Sequence, residues 1–386
     1  MKMFPRVVLL IGSSDGFDRG ILKGIAKYSR IHGPWSFLRF PPYYLQPGGW
    51  DKIMSWLKQV KPDAVITAFS EKKEALLELG IPTAVIGIEE EVPSVINIVT
   101  DNVPVGEMAA EYLIGLGFSN FAFCGFDDMA WSRTRCKSFV EAVNKSGHEV
   151  SVFSQPKTKA ARQWEQEQQY IIEWLESLPK PLALMACNDT RGQYVLEACK
   201  IAGIRVPEDI AILGTDDDNL VCELSDPPLS SVSLNTPKAG FEAARALEKM
   251  MENKHSDYER VVVHPIDIVK RRSTDVFAID DPEVAAALNY INQHANRVIQ
   301  VADVAAVVGL SRRTLYNRFR QAVGRSVHDE ITRVRVQQIS KMLIDTNMQI
   351  STIAEEMGYP GPEKMVRYFQ RETGYTPLAF RKKNQA

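Results

Sequence analysis

Nowhere in the 386 residues do eighteen apolar residues run together, so no bilayer-crossing helix is expected. Near the N-terminus only Val7 to Ile11 is unbroken and apolar, too short for a signal-peptide core. The chain is therefore expected in the cytoplasm, without a membrane partner. Five cysteines (Cys124, Cys136, Cys187, Cys199 and Cys222) form no Cys-x-x-Cys pair, and their odd number argues against a disulfide framework. Six histidines sit apart, without the spacing of metal ligands. The segment IGSSDGFDRG spaces its glycines unlike a dinucleotide fingerprint, and no phosphate-loop, His-Glu-x-x-His or Gly-x-Ser-x-Gly motif is present. No catalytic site, metal or cofactor is expected.

What is present is an ordinary globular composition, 45% apolar and 24% charged, in a chain long enough for two or three domains. The net charge of −2 conceals an asymmetry. From Leu288 onward there are 15 Lys and Arg against 8 Asp and Glu, leaving 31 against 40 in the remainder. An acidic front and a basic tail point to a polyanion at the C-terminal end.

Short apolar runs alternate with helical segments through the first 270 residues or so. RVVLLIG, WSFLRF, DAVITAF, TAVIGI, NFAFCGF, VSVFS, LALMACN and IAILGTD read as strands. Helices are expected between them, over about 18–31, 51–59, 71–79, 101–116, 133–145 and 160–177, and from Asp189. Unalternating runs are strands covered on both faces, the pattern of a parallel sheet. The reading is α/β and doubly wound, in two similar lobes. After SSVSL and a helix over about 238–251, RVVVHPIDIVKRRST reads as a strand pair returning to the first lobe. The strand signal then stops. A boundary is placed near Thr274 to Asp281, where Asp280, Asp281 and Pro282 make a good helix start.

In the last hundred residues two segments resemble each other. VADVAAVVGLSRRTLYNRFRQAVGRSV and ISTIAEEMGYPGPEKMVRYFQRETGYTP align Ala305 with Ala354, Gly309 with Gly358, Phe319 with Phe369 and Gly324 with Gly374. In each, a small residue and a turning glycine precede a second helix, the helix-turn-helix plan. In the first copy Arg312, Arg313, Tyr316, Asn317 and Arg320 face outward, with Leu315 and Phe319 inward. In the second Glu363, Lys364 and Arg367 face outward, with Met365 and Phe369 inward. The region from about Leu288 to Lys383, with its Gly374, Pro377, Phe380 and Arg381 ending, resembles the DNA-binding domain of AraC-type regulators. The resemblance implies an all-α domain with a linking helix over about 329–345. It puts base-reading roles on Arg313, Tyr316, Asn317, Glu363, Lys364 and Arg367. Arg312, Arg318, Arg320 and Arg371 are expected at phosphates or in solvent.

The stretch CNDTRGQYVLEACKIAGIRVPEDIAILGTDDD, over 187–218, ends a strand, makes a helix, turns at Val206-Pro207 and ends a second strand in three aspartates. It resembles the ligand-binding domain of LacI-type regulators and periplasmic sugar-binding proteins, with Gly192 and Tyr194 departing from that pattern. Carboxylates, carboxamides and arginine at strand ends suit vicinal hydroxyls. The resemblance implies a sugar site drawn from Phe17, Asp18, Asp101, Arg135, Asn188, Asp189 and Asp216. Asp18 and Asp189 are also plausible helix caps.

The domain order, a LacI-like sensor over 1–275, a linker over 276–286 and an AraC-type domain over 287–386, resembles that of the xylose-responsive regulators. It implies xylose or a similar small sugar as effector, operator DNA and RNA polymerase as partners, and a homodimer. Activation is the expected outcome. Repression, a different sugar and, more remotely, a sugar-processing enzyme remain open.

Overall fold

The computed structural model describes residues 4–39, 49–68, 77–87, 92–156, 164–253, 259–276 and 281–385. The helix expected over 71–79 falls largely outside them, as does the start of the one expected over 160–177. Contacts divide the chain into two compact units. One comprises 1–112 with 120–275, the other 276–386 with 113–119.

The first unit contains two six-stranded sheets. In the first lobe, β1 (Arg6–Leu10), β2 (Ser36–Arg39), β3 (Ala64–Thr67), β4 (Thr83–Ile86), β5 (Ile96–Thr100) and β11 (Glu259–Val263) lie in the order β11-β5-β4-β3-β1-β2, all parallel. In the second, β6 (Asn120–Cys124), β7 (Val150–Val152), β8 (Leu182–Ala186), β9 (Ile210–Thr215), β10 (Ser230–Leu234) and β12 (Pro265–Val269) lie in the order β12-β10-β9-β8-β6-β7. Only β12 runs antiparallel to its neighbour among the described strands. The central strands are buried along their length, as unalternating apolar runs require.

RVVVHPIDIV is not a strand pair closing one lobe. β11 completes the first sheet beside β5, and β12 completes the second beside β10. His264 between them has its N–H on Asn235 Oδ1 at 2.8 Å and its carbonyl on Asn235 N at 3.0 Å. The chain crosses between lobes there, after β5 at Asp101, and after β10 at Asn235. Asp101 N–H donates to Val263 O at 2.9 Å, so the three crossings are joined by hydrogen bonds.

Helices α1 (Gly16–His32), α2 (Gly49–Val60), α3 (Asn102–Gly115), α4 (Ala130–Lys145), α5 (Trp164–Ser177), α6 (Asp189–Ile201), α7 (Asn219–Leu224) and α8 (Thr236–Asn253) cover the sheets. Close approach sets two of the packings. A Cβ on Gly24 of α1 would lie 2.0 Å from Pro237 O of α8, and one on Gly106 of α3 would lie 2.6 Å from Arg135 O of α4. At Gly192, where the family resemblance leads one to expect alanine, a Cβ would meet Leu229 Cδ2 at 2.7 Å. The departure follows from packing.

The second unit is helical: α9 (Pro282–Gln293), α10 (Val301–Val307), α11 (Arg312–Val323), α12 (Val327–Asp345), α13 (Ile350–Glu356), α14 (Pro362–Thr373) and α15 (Pro377–Gln385). Asp281 caps α9, so that helix begins inside the stretch expected as linker. After α10 and α13 the chain turns through Gly309 (φ 67°) and Gly358 (φ 69°). Leu310 N–H donates to Ala305 O at 3.1 Å and Tyr359 N–H to Ala354 O at 2.8 Å, the same C-terminal cap in both repeats. The extra residue of the second repeat lies between Gly358 and Gly361, the cap of α14. Arg335 on α12 is buried and donates to Ala295 O at 3.0 Å, to Met357 O at 2.8 Å and to Arg297 O, tying both repeats to the linking helix.

Candidate functional site

Arg135 on α4 is 3% exposed, and its fork is fully directed. Nε donates to Asn102 Oδ1 at 2.9 Å, one terminal nitrogen to Cys187 O at 2.6 Å, and the other faces Asp216 Oδ1 at 3.4 Å. Trp131, four residues earlier on the same helix face, stacks on the guanidinium at 5.0 Å. Asn102, which opens α3 directly after the Asp101 crossing, and half-buried Trp131 are site residues that sequence reading missed.

Asp216 follows β9 with φ 102°, a conformation that side-chain-bearing residues seldom adopt. Burial pushes its carboxyl up to about 6 against the pull of Arg135, with Asp15 adding to the rise. Asp18 on α1 is likewise raised to about 6, by burial, then by Asp15, and also by Asp216; the Gly12 backbone N–H opposes these. Asp18 thus feels the charge of Asp216 across the lobes, and Arg135 lies beside Asp216. Both rises come first from burial, and a hydroxyl that donates to either carboxylate replaces hydration the group has lost. Phe17 is half-buried on the same turn as Asp18. Asn188 caps α6, its Oδ1 accepting from Arg191 N at 2.9 Å, and it adjoins the Cys187 carbonyl that Arg135 holds.

Two expected ligand residues have other occupations. Asp189 is 2% exposed; it accepts from Ser231 Oγ at 2.6 Å and from Asp218 N–H at 2.7 Å, bracing the loop over 216–218 from inside. Burial and nearby Asp216 push its carboxyl well up. Asp101 is 40% exposed and lies 3.5 Å from His264 Nδ1, at the crossings. The first lobe also reaches the second through Arg19, which pairs with Asp218 and donates to Ser14 O at 2.7 Å.

In the helical unit, α11 exposes Arg312, Arg313, Tyr316, Asn317 and Arg320 and buries Leu315 and Phe319. Arg320 donates to Tyr316 Oη at 2.8 Å. Helix α14 exposes Glu363, Lys364 and Arg367 and buries Met365 and Phe369. Arg318, partly exposed, is held in ion pairs. It pairs with both Asp281, the cap of α9, and Glu283, and the Asp281 carboxyl is held below its ordinary range by that pairing. A concavity of about 450 Å³ lies among Arg312, His328, Thr332, Tyr359 and Tyr368.

Comparison with known proteins agrees with both halves. Residues 110–274 match a periplasmic binding protein-like domain, and residues 304–383 a helix-turn-helix domain. The xylose operon regulatory protein of Escherichia coli K12 is 30% identical over 98% of this chain and 97% of its own length. That of Haemophilus influenzae is 29% identical over 98% and 99%. A solved structure of a xylose-binding transcription activator covers all of both chains, with 28% identity and a TM-score of 0.61.

Proposed function

The chain belongs to the family of the xylose operon regulatory protein, and from that premise we propose that it regulates transcription by binding operator DNA under the control of a small sugar, xylose first among them. The observation that carries the reading is the cluster of Arg135, Asn102 and Asp216, with the carboxylate of Asp18 on the other lobe close enough to feel the charge of Asp216. A pentose hydroxyl donates to Asp216 or Asp18 while accepting from Arg135. A sugar bridging the lobes favours one arrangement of them over the other, which is the differential affinity that a regulator needs. Phe17, Trp131 and Asn188 complete the site, and Asp189 and Asp101 support it.

The sensor extends to 275, and the DNA-binding domain runs from α9 to the end. Arg313, Tyr316 and Asn317 read bases from α11, and Glu363, Lys364 and Arg367 from α14. Arg312 and Arg320 are assigned to phosphates. The protein acts in the cytoplasm as a homodimer and as an activator in concert with RNA polymerase. The description of the similar solved structure as an activator supports that last choice. No reaction is assigned to the cluster; burial pushes the nearby Cys187 thiol up to about 12, which removes it as a nucleophile.

Calorimetric titration of the whole protein with D-xylose, L-arabinose, D-ribose and D-glucose tests the reading. Saturable heat with xylose is expected. Heat with another of these sugars alone replaces the ligand, and no heat with any of them overturns the sensor assignment.

A further inference from the structure

The loop that carries Asp216 faces two ways. On one side Asp216 meets Arg135 and the charge of Asp18. On the other, Asp217, with φ 50°, accepts from Arg271 at 2.8 Å. Two consecutive residues other than glycine with positive φ persist only where their surroundings over-determine them. Here those surroundings are Val232 O, which accepts from Asp216 N–H at 2.9 Å, Ser231 Oγ, 3.0 Å from Asp217 N, and the Asp189 carboxylate on Asp218 N. To these the Arg271 guanidinium adds a grip on the Asp217 side chain.

Arg271 is itself anchored. It donates to Leu229 O at 3.0 Å and to Asn219 Oδ1 at 3.1 Å, and its backbone N–H donates to Ser230 Oγ at 2.7 Å. Directly after it comes a tight turn, Arg272–Thr274. Ser273 and Thr274 are fully buried. Ser273 Oγ donates to Ile212 O of β9, the strand that ends at the Asp216 loop, at 2.6 Å, and Thr274 Oγ1 donates to Ser230 Oγ at 2.7 Å. The first unit ends at Asp275, and the chain passes from there into the helical unit. The last residues before the boundary are therefore bonded to the same strand and loop that hold Asp216.

We propose that Arg271 is the positioning residue that carries sugar occupancy to the DNA-binding unit: a ligand drawn onto Asp216 shifts the 216–218 loop, and the Arg271–Asp217 pair passes the shift to the exit turn. This rests on the functional reading above and adds its route. A merely structural Arg271 would brace the second lobe, and its loss would weaken sugar binding and DNA response alike. A transmitting Arg271 separates the two.

The test uses the full chain and a DNA fragment selected by the protein from a random pool. Xylose affinity is read by calorimetry without DNA, and DNA affinity by fluorescence anisotropy with and without xylose. In the wild type, xylose is expected to change DNA affinity by about 5- to 150-fold, the usual range for two coupled sites. In Arg271→Ala and in Asp217→Asn that ratio falls toward one while xylose affinity stays at the wild-type value, and Arg271→Lys recovers part of it. If Arg271→Ala does not fold, the near-isosteric Asp217→Asn decides. A wild-type ratio retained in Asp217→Asn, or a ratio lost only together with xylose affinity, overturns the proposal. A wild type whose DNA affinity no sugar changes overturns the functional reading instead, and this inference with it.

Discussion

Arg135 and Asp216 face each other at 3.4 Å, looser than the 2.9 and 2.6 Å at which the same guanidinium holds Asn102 and the Cys187 carbonyl. The arginine is fixed by its neutral partners, and its contact with the carboxylate is the slack one. A ligand hydroxyl inserted between them costs little of the existing bonding and gains a charge-assisted hydrogen bond on each side.

Replacing Arg135 by alanine is expected to abolish measurable xylose binding. It also leaves Asp216, the half-buried Asn102 Oδ1 and the buried Cys187 carbonyl without this donor, at a cost of about 3–5 kcal/mol in stability. Arg135→Lys keeps the charge but loses the planar fork. That variant should remain folded in a thermal melt while losing at least tenfold in calorimetric affinity.

The raised carboxyls set a pH dependence. Asp18 and Asp216 titrate near about 6 in the folded chain, above the ~3.9 of an unfolded aspartate. Between those values the folded state binds more protons than the unfolded one, so the stability of the sugar-free protein falls as pH rises through the window and levels off above it. Xylose affinity runs oppositely, strongest above about pH 6, where both carboxylates are ionised acceptors. Asp18→Asn should raise the melting temperature of the free protein at pH 7 by a few degrees and weaken xylose binding. Melts and titrations across the range check both signs.

Much of this was legible in the sequence, and the exceptions share a cause. Unbroken apolar runs gave the buried strands, and the glycine-centred repeats gave both helix-turn-helix units down to their inward phenylalanines. Trp131 was within reach as well, since it stands one helical turn before Arg135. The rest depends on partners remote in the chain. RVVVHPIDIV looks like a hairpin because nothing local records that its halves pair with β5 and β10. Asp189 is expected at the ligand, and nothing local records that it also braces Ser231 and Asp218. Arg318 is expected at phosphate or in solvent, and its ion-pair partner Asp281, 37 residues away, is not visible locally.

On DNA, the exposed residues of α11 should divide by kind. Arg313→Ala or Asn317→Ala is expected to relax base preference at one position of the selected site, at a cost of about 1–3 kcal/mol against the preferred base. Arg320→Ala should weaken all sequences alike and lower the salt slope by about one. Binding series at several salt concentrations on matched and mismatched sites distinguish the two.

Arg318→Ala removes the pair that fastens the start of α9 to α11. Because both partners are partly exposed and screened by solvent, the melting temperature of the helical unit should fall only slightly. Asp281→Ala removes the same pair and the helix cap together, and should cost roughly 1 kcal/mol more.

The close approach of α1 and α8 is tested by Gly24→Ala. The new methyl would meet Pro237 O at 2.0 Å, and backbone must move to admit it. A loss of about 1–3 kcal/mol is expected in denaturant unfolding.

The central claim is that a sugar held at Arg135 and Asp216 changes how the chain binds DNA. Anisotropy titration of the selected DNA fragment with and without saturating D-xylose, on the wild type and on Arg135→Lys, measures this most directly. The account predicts a xylose-dependent shift in the wild-type binding curve, absent in Arg135→Lys, whose curve without sugar matches the wild type. Superimposable wild-type curves with and without sugar, or an Arg135→Lys curve that shifts as fully as the wild type, would contradict it.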